Sequence, residues 1–285
     1  MTDTKAGKPP GLERTRRLNT VPLDAGRLAA DLKVMDQLPY ASSYSDFAFG
    51  QLRNTMLWNA SGVLNEALLG DYPGGARPTE HGRMLPYVND LITSLFRIEH
   101  LKFARLLLLP PGCVMVPHRD YLELDQDMIR IHVPLRTSER CFSSQGDTVF
   151  HMRAGEMWFL DATRTHTAAS FWDIDRIHLT CDFIAGSVDE VLKEPAVRQA
   201  GVPAENIEPR PPLRPAERDA LLGLAELIDL DNYRDIMAVL TKRHFKAEIQ
   251  ADEVFGWMKD IAAASGRPEV LERVARDEEY YLVRR

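Results

Sequence analysis

Hydrophobic positions follow two different periods along the chain, and the change of period separates regions of different structure. Residues 24–37 and 85–96 carry apolar side chains at helical spacing, so we predict a short amphipathic helix in each. The first follows Asp24, a residue type favoured at helix N-caps, and ends before Pro39. Between residues 103 and 183, short apolar runs alternate with Pro-Gly, Gly-Asp and Ala-Gly pairs, which is typical of antiparallel strands.

The short apolar runs predict the core of the fold. Six strands are expected, at residues 103–109, 113–117, 129–135, 147–152, 156–160 and 176–183. Many short strands joined by tight turns favour a sandwich or a barrel, and the double-stranded β-helix, or jelly roll, fits this number. The predicted fold class is therefore α+β, with a jelly-roll core, flanking helices and a helical C-terminal region.

Prolines mark the end of the strand region. Five of them fall in residues 191–214, which we interpret as a linker. Helical spacing then returns, with helices predicted to begin at Pro215 and after an Asp231 N-cap, and two more at about 252–263 and 268–282. The predicted division is a disordered tail at 1–18, a jelly-roll domain with N-terminal helices at 19–190, the linker, and a helical region at 215–285.

Two stretches before the strand region are less regular. Residues 41–59 mix aromatic, apolar and small polar types, which predicts strand with a connecting loop. Residues 60–83 contain Gly74-Gly75 and two prolines. This second stretch is predicted to be an irregular loop, either a lid or a connector.

Composition narrows the class of protein. Of the 285 residues 45% are hydrophobic, enough for a sizeable core, and the net charge of -7 gives no basic surface for nucleic acid. No apolar run is long enough to span a bilayer, and the basic start of the chain lacks the apolar segment of a signal peptide. We therefore expect a cytoplasmic protein without nucleic-acid or membrane partners. Cys113, Cys141 and Cys181 show no metal or redox spacing and are interpreted as core residues.

The strand region also contains residues that could bind a metal ion. His118 and Asp120 are two positions apart, so in an extended segment both side chains can approach one ion from the same side. His166 follows further predicted strands, and a returning strand of a jelly roll could bring it beside them. Two histidines and a carboxylate form the facial triad of iron(II) oxygenases, but these ligands also suit zinc and manganese. A lone His-x-Asp is more often structural, so the triad needs a further observation.

Arginines in three of the predicted strands supply that observation. Arg176 opens an apolar strand soon after His166, and its planar guanidinium could bind a dicarboxylate beside a metal. In the strand at 129–135, isoleucine, valine and leucine occupy one face and Arg130 the other. A buried arginine needs a partner, which could be the carboxylate of an amino-acid substrate or a neighbouring Asp or Glu. Arg105 poses the same two alternatives.

Most of the chain resembles the bacterial hydroxylases of free L-proline, a family of iron(II)- and 2-oxoglutarate-dependent oxygenases. The resemblance extends from about Val21 onward, and the matching segments are 44–47, 57–62, 117–124, 129–132, 151–152, 155–162, His166, 176–182 and 232–236. These motifs are specific in combination, although the His-x-Asp alone is weak.

The resemblance implies the ligands and co-substrates of the site. Fe(II) would be bound by His118, Asp120 and His166, with Arg176 holding the distal carboxylate of 2-oxoglutarate and O2 as the second co-substrate. Many relatives have serine two residues after that arginine, where this chain has His178. Because a histidine can also hydrogen-bond a carboxylate, this departure changes the detail and not the class.

Contacts to the amino-acid substrate are predicted at five positions. Arg130 and Arg105 would bind its carboxylate, and relatives also carry arginine at the first of these positions. Tyr44, Asp46 and Trp58 would line the entrance or meet the substrate amine, although aromatic residues in a β region more often belong to the core.

The predicted function is hydroxylation of a free cyclic L-amino acid, L-proline or L-pipecolic acid, at C3 or cis-C4, yielding succinate and CO2. Residues 57–62 look like those of relatives that act at C3, whereas residues 176–179 look like those of relatives that act cis at C4, so the position is left open. One alternative is the same chemistry on aspartate, asparagine, or a carrier- or peptide-bound residue. Another is a metal-binding jelly roll without activity, or a zinc hydrolase. The apolar stripes of the C-terminal helices are compatible with a homodimer.

Overall fold

The structure, a computed structural model, describes residues 14–41, 45–64, 75–120 and 127–284. The strands formed by these residues are β1 (Arg16–Thr20), β2 (Ala48–Phe49), β3 (Arg53–Asn59), β4 (Arg77–Pro78), β5 (Leu101–Leu109), β6 (Val114–Met115), β7 (Met128–Arg136), β8 (Cys141–Gln145), β9 (Thr148–Phe150), β10 (Glu156–Leu160), β11 (His166–Ser170) and β12 (Arg176–Ile184). The helices are α1 (Ala25–Met35), α2 (Glu80–Arg83), α3 (Pro86–Leu95), α4 (Val188–Val191), α5 (Pro215–Leu222), α6 (Tyr233–His244), α7 (Glu253–Ala264) and α8 (Pro268–Leu282).

The strands pair antiparallel in two sheets. The larger sheet has the order β1-β10-β7-β12-β5-β3-β4 and the smaller the order β2-β6-β11-β8-β9. Between β5 and β12 the chain passes repeatedly from one sheet to the other, so that β10-β7-β12-β5 and β6-β11-β8-β9 form the two halves of a jelly roll. The predicted fold class, α+β with a jelly-roll core and helices on both sides of it in sequence, is confirmed.

Alternation along β7 and β12 separates an apolar outer face from a polar inner face. Successive side chains of a strand point to opposite faces of the sheet. The main hydrophobic core, which α1 and α3 share, contains Ile129, Ile131, Val133, Leu135, Ile177, Leu179, Cys181 and Phe183. Apart from Pro134, the intervening positions are polar and all buried: Arg130, His132, Arg176, His178, Thr180 and Asp182. Because each buried aliphatic side chain contributes roughly 1.5–3 kcal/mol, the outer face secures the sheet and leaves the inner face to polar residues.

The predicted helices and strands are largely confirmed. Asp24 caps α1 through its side chain, which accepts a hydrogen bond from the backbone N–H of Arg27 at 2.9 Å. All six predicted strands are present, within a few residues at each end. Strands β8 and β11 were not predicted, because CFSSQ and HTAAS contain small and polar residues and no apolar run, although nine of their ten positions are buried.

The N-terminal tail was predicted too long. Residues 16–18 belong to β1, which pairs with β10, and Leu18 is fully buried. Their polarity is misleading because β1 is an edge strand with only part of its surface covered; residues 1–13 lie outside the described residues. Within the predicted loop at 60–83, β4 and α2 are ordered, and residues 65–74 lie outside the described residues. The choice between lid and connector therefore stays open.

The segment predicted as a linker, 191–214, packs against the jelly roll. Asn206 is fully buried and donates hydrogen bonds to the carboxylate of Glu156 at 3.0 Å and to the carbonyl of His151 at 2.8 Å. The prediction of an Asp231 N-cap was wrong by one residue, since Asn232 occupies that position before α6. The division of the chain into domains stays a prediction.

The C-terminal helices pack against the smaller sheet and against the residues just before His118. Their core also contains Phe47 and Val116, which lie close in sequence to β2 and β6. None of the helices in the described parts of the chain combines the length and the apolarity needed to cross a membrane. The three cysteines are free and buried, as expected of core residues.

A buried histidine joins α6 to the smaller sheet and predicts a pH dependence of stability. His244 donates from Nδ1 to the carbonyl of Ile249 at 2.6 Å, so its Nε2 accepts from the hydroxyl of Ser144 at 2.8 Å. Burial lowers the pKa of His244 from 6.5 to about 4. Only the unfolded chain is then protonated between these pH values, so stability is present above pH 6.5 and is lost as the pH falls toward 4.

We expect this histidine to remove about 3 kcal/mol of unfolding free energy between pH 7 and pH 4. Urea unfolding of the wild-type protein and of His244→Gln at both pH values measures it. The variant loses the hydrogen bonds but also the titrating group, so the difference between the two proteins should shrink as the pH falls. A difference that stays constant would contradict the assignment.

Candidate active site

The inner faces of β7 and β12 line a cavity between the two sheets. Seven of the nine predicted site residues that the structure describes line it: His118, Asp120, His166, Arg176, His178, Arg130 and Arg105. Apolar side chains complete the wall, among them Phe103, Leu107 and Leu160. The fold thus brings together residues that are far apart in the sequence.

The backbone holds the three candidate metal ligands in one place. His118 and His166 form an antiparallel bridge in which each N–H donates to the other residue's carbonyl, at 3.1 and 2.9 Å. The N–H of Asp120 donates to the carbonyl of Ala162 at 2.7 Å. His118 and Asp120 follow the short strand β6 in an extended segment, so their shared orientation survives without a longer strand.

Both histidines present the same nitrogen to the cavity. The Nδ1 of His118 donates to the carbonyl of Val116 at 2.7 Å, and the Nδ1 of His166 donates to the carbonyl of Arg164 at 2.9 Å. Since a carbonyl can only accept, each Nε2 is left with its lone pair. Each Nε2 is 4.0 Å from the same oxygen of Asp120, and the candidate ligand atoms of the three residues all lie within 4.8 Å of one another.

The protonation states also suit a divalent cation. Burial, reinforced by the nearby His118, lowers the pKa of His166 to about 3. Burial alone would raise the pKa of Asp120, but the Arg130 guanidinium, which donates a hydrogen bond to this carboxylate, holds the pKa well below its ordinary range. Neutral imidazoles and an ionised carboxylate are the forms that metal coordination requires. The donor set therefore fits the iron implied by the resemblance.

Arg176 is a buried cation without a carboxylate partner among the described residues. Its Nε donates to Nε2 of His178 at 2.9 Å, and one Nη donates to the hydroxyl of Ser143 at 3.2 Å. Burial lowers the pKa of Arg176 to about 10, so the guanidinium is still charged at neutral pH. Burial and the guanidinium hold the pKa of His178 well below 6.5, so its ring is neutral. A charge buried in this way favours an anionic ligand.

Arg130 and Arg105 share a buried aspartate. Arg130 donates through Nε to Asp182 at 2.8 Å and through Nη1 to Asp120 at 2.5 Å. Arg105 places an Nη 3.8 Å from the other oxygen of Asp182, which is fully buried. The salt-bridge alternative raised from the sequence is thus present in the structure. Both guanidinium groups still line the cavity, so the prediction of a substrate contact stays open.

Two predicted substrate residues do not reach the cavity. Trp58 is buried in the main core and donates its indole N–H to Asn89 at 2.7 Å. The side chain of Asp46 is exposed, and its backbone carbonyl is the group in use, accepting from Tyr281 at 2.5 Å. Neither residue is among those that line the described cavity, so no contact in the structure supports these two predictions and they stay predictions. Tyr44 lies outside the described residues.

Three inner-face residues were not predicted as part of the site. His132 and Ser143 line the cavity, and Asp182 orients the two arginines beside it. The Nε2 of His132 is buried without a hydrogen-bond partner in the described structure. The strict alternation of β7 and β12 was the signal for His132 and Asp182, since both occupy the face opposite the apolar residues. Ser143 had no such signal, because β8 was not predicted.

The jelly roll and the His-Asp-His ligand set agree with the class of protein that the relatives show, a 2-oxoglutarate-dependent dioxygenase. The L-proline cis-4-hydroxylase of Rhizobium meliloti (strain 1021) is 33% identical over 94% of this chain and 95% of that protein. The chain belongs to the family of L-proline cis-hydroxylases. The L-proline cis-3-hydroxylase 1 of a Streptomyces species is 35% identical, again over 94% of this chain and 95% of its own.

Family models and solved structures give further similarities. The family described as "L-proline 3-hydroxylase, C-terminal" matches residues 189–285, and the family described as "Aspartyl/Asparaginyl beta-hydroxylase" matches residues 34–185. The prolyl-4-hydroxylase structure from Pseudomonas putida covers 58% of this chain and 90% of its own, with 17% identity and a TM-score of 0.35. A 2OG-Fe(II) oxygenase structure from Burkholderia pseudomallei covers 57% and 80%, with 11% identity and a TM-score of 0.36.

Proposed function

We propose that the protein hydroxylates a free cyclic L-amino acid, L-proline or L-pipecolic acid, at C3 or cis-C4, with Fe(II), 2-oxoglutarate and O2, releasing succinate and CO2. The observation that carries the proposal is the buried charge of Arg176 in the same cavity as the His118, Asp120 and His166 ligand set. The relatives are named for hydroxylation of L-proline at C3 or cis-C4. A zinc hydrolase or an inactive metal-binding module would leave Arg176 without a role.

The residues divide the cavity into a metal end and a co-substrate end. His118, Asp120 and His166 would hold Fe(II), which supplies the oxidising chemistry for breaking an unactivated C–H bond once O2 and 2-oxoglutarate are present. Arg176 would bind the distal carboxylate of 2-oxoglutarate through its planar fork, with the Ser143 hydroxyl contributing a further hydrogen bond. His178 supports the guanidinium from its other side.

The remaining wall fits the carboxylate and ring of an amino acid. Arg130 and Arg105 would bind the substrate carboxylate, and Asp182 fixes the direction of both guanidinium groups. Phe103 and Leu107 supply apolar contact beside them. Such contact positions the ring, but one methylene changes binding by only about 1–3 kcal/mol, so activity on both ring sizes is expected.

Product formation distinguishes the proposed substrate from the alternatives. Succinate release and product NMR would be measured with free L-proline, L-pipecolic acid, aspartate, asparagine and a proline-containing peptide. Hydroxylated free proline or pipecolic acid is expected, and NMR then gives the carbon. Turnover only with aspartate, asparagine or the peptide would favour the alternative of an acyclic or peptide-bound substrate. The match of residues 34–185 to the aspartyl/asparaginyl family is the reason to test it. A cytoplasmic location, a homodimer, and the lack of nucleic-acid or membrane partners stay predictions.

The roles of Arg130 and Arg105 can be separated from their salt bridges by changing the substrate as well as the protein. We expect kcat/KM of the wild-type enzyme to be about 10- to 100-fold lower for L-prolinamide than for L-proline, since a charged hydrogen bond contributes about 1.5–3 kcal/mol. In Arg130→Gln and Arg105→Gln this ratio should shrink toward one, because the partner of the carboxylate is already missing. An unchanged ratio would mean that the two arginines only pair with Asp182 and Asp120 and do not bind the substrate carboxylate.

A further inference from the structure

The residue between two of the candidate metal ligands points away from the cavity. Arg119 follows His118 and precedes Asp120, yet it is absent from the described cavity wall. Its Nε donates to the carbonyl of Thr163 at 2.6 Å, close in sequence to His166. Its Nη1 reaches the carbonyl of Leu282 at 3.3 Å. The side chain therefore joins both ligand segments to the end of the chain's last helix.

The end of α8 bonds to the same residue through the backbone. The last carbonyls of a helix have no partner within it and must be satisfied from outside. The N–H of Arg119 donates to the carbonyl of Tyr281 at 2.9 Å, and its guanidinium takes the next carbonyl, that of Leu282. A cation is also favoured at this end by the helix dipole. We name this set of bonds the α8 contact; it comprises Arg119, Tyr281 and Leu282.

A second connection runs through Phe47. Its ring contacts the edge of His118, with centroids 5.2 Å apart, and also contacts Tyr281, again at 5.2 Å. The hydroxyl of Tyr281 donates to the carbonyl of Asp46 at 2.5 Å. The carbonyl of Phe47 in turn accepts from the N–H of Val116, the residue whose carbonyl orients the His118 ring. Thus Tyr281 supports the ligand segment from two directions.

We propose that the α8 contact positions His118 and Asp120 for metal binding, so that the C-terminal helical region contributes to metal affinity without supplying a ligand. The inference rests on the proposed function, since it takes the three residues as a metal site. Its physical basis is preorganisation. Ligands that are already in place need no ordering when the ion binds, and looser support costs about 10- to 100-fold in metal affinity.

Electrostatics and positioning predict opposite results for the same substitutions. Arg119 is a cation near the site of another cation, so removing its charge should tighten metal binding if charge alone mattered. If positioning matters, Arg119→Ala should weaken it. Arg119→Lys separates the two further, because it keeps the charge and loses the planar fork that reaches two carbonyls.

The test titrates metal-free protein with Mn(II) and follows free Mn(II) by EPR, which needs no turnover. We expect about a 10-fold or greater increase in Kd for Arg119→Ala, a smaller increase for Arg119→Lys, and an increase for Tyr281→Phe, which loses the bond to Asp46. Arg276→Ala, an exposed arginine of the same helix, should match the wild type. Thermal unfolding of each metal-free variant and the stoichiometry of Mn(II) are measured alongside.

Each outcome decides the proposal. Weaker binding in the Arg119 variants, at temperatures where the metal-free proteins remain folded, supports it. Suppose that the wild-type protein binds one Mn(II) and turns over 2-oxoglutarate. Unchanged or tighter Mn(II) binding by the Arg119 variants then overturns the proposed role of the α8 contact alone. Lower stability with an unchanged Kd assigns Arg119 a structural role only and also overturns it. A wild-type protein that binds no Mn(II) overturns both this inference and the proposed function.

Discussion

Replacing His166 by alanine is expected to lower turnover by about 10³-fold or more. The imidazole is neutral and presents Nε2 to the cavity, so its loss leaves only His118 and Asp120 to hold the ion. A bound metal typically supplies several kcal/mol of barrier reduction, and each 1.4 kcal/mol is about tenfold in rate. Succinate formation at saturating substrates measures the effect.

Metal content and fold must be followed with the activity. His166→Ala should bind less than one iron per chain while its circular dichroism matches that of the wild type. His100→Ala is a suitable control, because this histidine lies outside the described cavity wall. Full activity in His166→Ala would show that the three residues do not bind a catalytic metal, and the proposed chemistry would then be wrong.

The parts of the fold that could be predicted are those in which the polarity of each side chain matches its burial. On β12 and β7 the outer face is apolar and packs under helices, so each polar residue between had to face inward, as Arg130 and Arg176 do. Strands β8 and β11 line a polar cavity with small residues, so neither apolar runs nor charge marked them. Strand β1 was missed for a different reason, because an edge strand can be rich in arginine and still be paired.

The candidate site could be predicted most specifically where chemistry restricts the residue type, and least where it does not. His118, Asp120 and His166 form a ligand set that few other arrangements explain once an arginine lies beside it. The residue type of Trp58 does not restrict its position, because an indole N–H can find an acceptor in a core as well as in a site. In this protein the acceptor is Asn89, in the core.

Substituting Arg176 by leucine is expected to change activity and stability in opposite directions. The guanidinium is buried, and no carboxylate pairs with it among the described residues. Loss of a buried charged hydrogen-bonding partner costs about 2–5 kcal/mol in binding, so kcat/KM for 2-oxoglutarate should fall by about 10²-fold or more. In the metal-free protein without 2-oxoglutarate, leucine removes a lone buried charge, and unfolding free energy should rise by about 1 kcal/mol or more.

Arg136→Leu is the matched control for that pair of effects, since Arg136 lies on β7 and pairs with Asp36 near the surface. Its loss should lower stability by no more than about 1 kcal/mol and leave the KM for 2-oxoglutarate unchanged. Adding Fe(II) and 2-oxoglutarate without O2 should raise the Tm of the wild type and of this control, because a ligand that binds only the folded state stabilises it. The Tm of Arg176→Leu should rise when Fe(II) is added, and 2-oxoglutarate should raise it no further. If 2-oxoglutarate still raised its Tm further, the anion would have to bind elsewhere in the cavity, and the burial of Arg176 would need a different explanation.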